Sequence, residues 1–239
     1  RVTAIIDLEL AHLGDPAEDL GALRCRDLSE PLGDLRHAVA DYQEFGGCPV
    51  DPFLLDFHTV RFALMTPLAT LPILGQARPG VDLIQYLCWF HVYSRAPLEV
   101  IAHRAGVDLQ PPALPTPEPN RYRPIFQDLS LRLQPSAAAS SFDDYAQQTA
   151  YRTAVYLEGL NRHGAALEAD NIADVNDLLG AAHANADEAD AALEGFILAA
   201  DPGADADLLR LLHRRCLREA TLLEPVLAEF SGVKIQLFD

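Results

Sequence analysis

Residues 2–9 read Val-Thr-Ala-Ile-Ile-Asp-Leu-Glu, and residues 14–20 read Gly-Asp-Pro-Ala-Glu-Asp-Leu. The run from Val2 to Ile6 is apolar and β-rich, so it is expected to form a strand ending at Asp7. An acidic residue just beyond a buried strand sits on a rigid element with its carboxylate aimed into a cleft, a placement that suits a magnesium ligand. Taken alone, Asp7 fits equally a strand-terminal Asp that caps a turn, a frequent use of this residue. The surrounding spacing decides between the two.

Outward from that stretch, a loop is expected over 7–16, followed by helices over 17–23, 35–45, 51–64, 81–94 and 97–104. The start and stop signals are Asp51 before Pro52, and Gly46 and Gly106 just past helix ends. Between Asp108 and Pro124 stand Pro111, Pro112, Pro115, Pro117 and Pro119, a density that disfavours helix and favours extended chain. This segment, 108–124, is read as a linker between residues 1–107 and 125–239; a long surface loop on a single domain is the other reading.

Beyond the linker, Phe142, Tyr145, Thr149, Thr153, Tyr156 and Leu160 form a helical stripe. Ser141 and Asp144 make a capping box before it, and Gly164 closes it. A second, narrow seam runs from Ile172 through Val175, Leu179, Ala182, Ala186, Ala189 and Leu193 to Phe196. A third follows the turn at Asp201, Pro202 and Gly203, from Leu208 to Leu227. Residues 125–239 therefore read as a small antiparallel helical bundle, whose Ala-rich seam could also join subunits into a homo-oligomer.

The chain has 239 residues, of which 49% are hydrophobic, enough for sizeable cores. Its formal charge of −17 comes without any basic stripe, which excludes a nucleic-acid partner. The best apolar stretch, Val60 to Leu74, is interrupted by Arg61, Pro67 and Pro72, which argues against a membrane span. Cys25, Cys48, Cys88 and Cys216 are far apart and form no CxxC pair, so reduced thiols and a cytoplasmic location are expected. No two of the eight histidines have the i, i+4 spacing of a helical zinc site, and no Gly-x-Ser-x-Gly elbow occurs.

Ile5-Ile6-Asp7-Leu8-Glu9, Gly14-Asp15-Pro16 and Asp19-Leu20 together resemble the metal-binding segment of the aminoglycoside phosphotransferase and choline kinase family. That family reads Ile-Asp-Trp or Phe-Glu, then Gly-Asp-Pro, then Asp-Leu-Ala. The resemblance implies a mainly α chain: the C-terminal lobe of a protein-kinase-like fold over 1–107, followed by the helical bundle. It implies that Asp7 holds the Mg2+ bridging the β and γ phosphates of ATP or another nucleoside triphosphate, and that Glu9 lies near the metal and acceptor. Asp15 and Asp19 take structural roles, accepting hydrogen bonds where the loop enters a helix. Leu8 and Gly21 stand where the family usually has an aromatic residue and Ala.

The family's catalytic His-Gly-Asp loop, its nucleotide-binding Lys and its Gly-rich region precede the metal-binding segment. The expectation is thus a fragment of an ATP-dependent kinase of small-molecule hydroxyl acceptors, inactive without the upstream kinase segment. Asp56, His58, Trp89, His91 and Tyr93 are the residues to examine in the acceptor lobe, although Trp89, Phe90 and Tyr93 fit an ordinary apolar core better. The alternative is a non-catalytic interaction module, in which the acidic bundle binds a partner on a degenerate kinase scaffold.

Overall fold

The computed structural model describes residues 3, 12–46, 48–76, 78, 80–116, 121–135 and 142–238. Apart from Thr3, the expected strand over 2–6 lies outside them, and so do Asp7 and Glu9. The described residues are mainly α-helical and contain no strand.

The first half holds α1 (Pro16–Arg26), α2 (Leu35–Asp41), α3 (Pro52–Leu74) and α4 (Leu83–Ala105). Three of the helix starts follow one chemistry. Asp15, Asp34 and Asp51 are extended N-cap residues whose carboxylates accept from backbone N–H groups two residues on, and Pro16 and Pro52 occupy the first turn, where no donor is needed. Gly106 ends α4 in the left-handed region at φ 65°, and the Val107 N–H reaches back to the Ala102 carbonyl. Gly46 instead falls within a π-helical turn, Tyr42–Gly46, that extends α2.

Two helices run past their expected bounds and contain internal prolines. α3 continues past Leu64 through Pro67 and Pro72, and a single α4 covers the two segments expected over 81–94 and 97–104, with Pro97 in its interior. A proline in a helix interior costs about 3 kcal/mol. Here α3 and α4 pack along their length as an antiparallel hairpin, and Pro67 and Pro97 are buried in it, so tertiary burial offsets the lost backbone bonds. α3 is also, among the described residues, the one helix long and apolar enough to cross a membrane by length and composition. Its outward row of Phe57, Leu64, Leu68 and Leu71 is exposed, while its inner face contacts α1 and α4.

Residues 108–116 are free of helix, as their prolines require. α5 (Arg123–Leu133) then begins at the end of the linker segment, with Pro124 in its first turn. No periodicity argument anticipated this helix. α6 (Phe142–Gly159) passes through a π turn, Leu160–Gly164, directly into α7 (Ala165–Leu179). Gly164 therefore does not terminate a helix: its φ is −53° and the chain continues in helical conformation. Ser141, the expected cap of α6, lies outside the described residues.

The long second seam is broken in two. α7 ends at Gly180 (φ 60°), and α8 (Ala186–Ala199) starts at Asn185, whose side chain caps Glu188 N. α9 (Asp205–Leu223) completes the set. Val175, Ala189, Leu193, Leu208 and Leu211 form one buried cluster, so the seam folds back on itself within the chain. Ala182 is in the α7–α8 loop and exposed, which corrects its expected place in the seam.

The principal core joins sequence from both ends of the chain. Leu28, Cys88, Val92, Ala96 and Val100 pack against Leu223, Val226, Leu227, Phe230 and Ile235. Past α9, residues 231–238 return along the first half. The Gln236 side-chain amide donates to Asp27 Oδ2 at 2.8 Å and to the Gly33 carbonyl, its oxygen accepts from Leu35 N at 3.1 Å, and Phe238 lies beneath the Arg24 guanidinium.

Candidate functional site

α1 carries the described part of the quoted motif. Asp15 Oδ1 accepts from Ala17 N at 2.8 Å, and its carbonyl accepts from Glu18 N. The Asp19 side chain is exposed in the first turn, and among the described residues it has no hydrogen-bond partner. Glu18 is held between Arg61 at 2.7 Å and His12 at 3.1 Å. Gly21 explains itself: a Cβ there would stand 2.8 Å from Thr59 N and 2.9 Å from the His58 carbonyl carbon, so α1 crosses α3 backbone to backbone. The Ala usual at this position in the resembling family would not fit the crossing.

The five acceptor-lobe residues separate. Asp56 is buried in an ion triad, its Oδ1 accepting from Arg24 Nη1 at 2.6 Å and its Oδ2 from Arg104 Nε at 2.7 Å. His58 is buried beside the α1 crossing, with its ring edge-on to Phe57. His91 is buried elsewhere on α4, its Nε2 without a hydrogen-bond partner among the described residues, and burial pushes its pKa down to about 4. These three do not line an open site. Trp89 and Tyr93 do, while their inner edges pack against the main core, so their core role and their cleft role coexist.

The cleft runs between α3 and α4 and has a volume of about 640 Å³, within the usual range for small-molecule sites. Phe62, Met65, Thr66, Ala69 and Ile73 supply one wall, the i, i+3, i+4, i+7 face of α3. Tyr86, Trp89 and Tyr93, on one face of α4, supply the other, with the Tyr86 and Trp89 rings edge-to-face at 5.4 Å. Arg26, Ser29 and Glu30, at the end of α1, close one end. Glu229 and Phe230, from the segment after α9, complete the lining.

Ionic groups at the rim are largely engaged. Arg26 Nη2 donates to Glu30 Oε1 at 2.7 Å, and Gln85 Nε2 donates to Glu229 Oε1 at 3.2 Å. The Tyr93 hydroxyl donates to the Cys25 carbonyl at 3.4 Å, and burial raises its pKa. Thiol chemistry is not supported at three of the cysteines: burial pushes Cys25, Cys88 and Cys216 up to about 12, 11 and 12, which keeps them protonated. Among the described residues no group of three or more His, Cys, Asp or Glu side chains is placed to hold a metal ion. The proposed ligands Asp7 and Glu9 are outside that set.

Sequence reasoning located Trp89 and Tyr93 but missed Tyr86, although the 86/89/93 spacing on one helix was available. Much of the α3 wall lies beyond residue 64, where the expected helix ended, whereas α3 runs to Leu74. Glu229 and Phe230 left no local signal, because they reach the cleft from the far end of the chain. No family model, no curated protein and no solved structure matches this chain.

Proposed function

We propose that this chain is the metal-binding and acceptor-side part of an ATP-dependent small-molecule phosphotransferase that transfers the γ-phosphate to a hydroxyl. The observation that carries the reading is the string Ile5-Ile6-Asp7-Leu8-Glu9, Gly14-Asp15-Pro16, Asp19-Leu20, whose order and spacing resemble that family over some twenty residues. Asp7 is the magnesium ligand and Glu9 the carboxylate on the acceptor side. Mg2+, when bound, neutralises charge developing on the transferred phosphoryl group. The α3–α4 cleft, rich in hydroxyl and aromatic groups, is the acceptor pocket. Its lining by Glu229 and Phe230 makes the helices after the linker part of the acceptor lobe.

Phosphoryl transfer depends on several positioned groups at once, and no His-Gly-Asp occurs within the 239 residues. The base must come from elsewhere, so the 239 residues alone are expected to give no turnover. Calorimetry of magnesium-dependent ATP binding tests the reading, comparing this chain with a form extended upstream through a His-Gly-Asp loop. Binding and turnover in the extended form, both lost in Asp7→Ala, support it. Absence of nucleotide binding in both forms overturns it and favours the interaction module, for which the exposed apolar row of α3 would be the docking face.

A further inference from the structure

The polar atoms that the cleft offers are mostly neutral. Ser29, Thr66, Tyr86 and Tyr93 contribute hydroxyls, each able to accept a hydrogen bond, whereas Arg26 is neutralised by Glu30 across 2.7 Å. The remaining net charge at the rim is the Glu229 carboxylate, which repels anions. The walls between these groups are apolar and continuous: Phe62, Met65, Ala69 and Ile73 lie along one face of α3, about 16 Å of helix from first to last. A groove of that length, with apolar walls and scattered hydroxyls, complements an extended apolar body bearing hydroxyl groups and no negative charge.

We propose that the α3–α4 cleft binds a neutral hydroxylated alkyl chain laid along the groove. As the acceptor's identity this rests on the phosphotransferase reading; as a binding site it stands without it. Trp89, the one tryptophan of the chain, lines the groove and reports its occupancy directly.

The test is titration of the chain with linear alcohols from hexanol to dodecanol, followed by Trp89 fluorescence with no nucleotide or magnesium present. Saturable shifts are expected, with affinity rising about fourfold per added methylene until the chain outgrows the groove. The matched carboxylates should bind at least tenfold more weakly. Ala69→Phe, an exposed helix position whose new ring would fill the groove, should abolish the shift, whereas Leu68→Gln on the outward row of α3 should leave it unchanged. Any of three results overturns the proposal: no saturable shift, equal loss in Leu68→Gln (adsorption to the outer face), or alkyltrimethylammonium ions binding more than tenfold tighter than alcohols of equal length (an aromatic cation site). Because the titration omits nucleotide, its failure leaves the phosphotransferase reading intact, and loss of ATP binding leaves this site intact.

Discussion

Arg24 and Asp56 meet at 2.6 Å in the interior, their side chains 1% and 5% exposed, and this pair ties α1 to α3. Burial alone would lower the Arg24 pKa, and the Asp56 carboxylate opposes that by favouring the charged guanidinium. Removing one partner of a buried pair strands the other charge, at a cost of about 3–5 kcal/mol. Asp56→Asn is therefore expected to lower the urea midpoint strongly. Arg104, the triad's outer member at 37% exposure, can be replaced by Ala for about 1 kcal/mol or less. Equal midpoints for the two variants would show that the inner pair carries no special weight.

Gly21 sits where α1 and α3 touch backbone to backbone. Helix propensity favours Ala over Gly by about 1 kcal/mol, but overpacking against an immobile backbone costs roughly 1–3 kcal/mol. Gly21→Ala should lose up to about 2 kcal/mol net, and Gly21→Val more. Equilibrium denaturation reads this, and a raised midpoint for Gly21→Ala would mean that the crossing has room to spare.

Helix starts were legible in the sequence because their chemistry is local. Asp51 with Pro52 marked α3, and Gly106 marked the end of α4. What failed were inferences in which a local signal is outweighed by packing. Pro67, Pro72 and Pro97 mark helix ends by propensity, yet the α3–α4 hairpin buries enough surface to carry the helix past them. α5 went unseen because its apolar residues Ile125, Phe126, Leu129 and Leu133, although at helical spacing, follow directly on a proline-rich segment that reads as extended chain. The cleft was half visible: Trp89 and Tyr93 share a helix, but Arg26 and Glu229 converge on them only through the fold. The quoted motif remains a sequence observation, since Asp7 and Glu9 lie outside the described residues.

The Ala-rich seam can be tested at two positions with opposite expectations. Ala189, on α8, is fully buried in the cluster with α7 and α9 residues, whereas Ala182 is exposed in the preceding loop. Ala189→Leu should cost about 1–3 kcal/mol through overpacking, occasionally more, and Ala182→Leu less than about 0.5 kcal/mol. Thermal unfolding separates the two, and a large loss at Ala182 would mean that the loop packs against something further, such as another subunit.

His91 makes the fold sensitive to mild acid. The residue is 3% exposed and Nε2 has no partner among the described residues, so burial, assisted by Arg95 and opposed by Glu99, depresses the pKa to about 4 from an ordinary 6.5. The unfolded chain takes up the proton first as pH falls. The neutral ring's contribution is thus complete above about pH 6.5 and is lost progressively down to about pH 4, amounting to roughly 3 kcal/mol over that window. Carboxylates titrate over the same range, so the measurement is a difference. Stability against urea is followed from pH 7 to pH 4 in the parent chain and in His91→Leu, and the parent should lose about 3 kcal/mol more than the variant. Parallel curves would mean that the buried imidazole accepts a proton without penalty, which requires a hydrogen-bond partner for Nε2 on protonation.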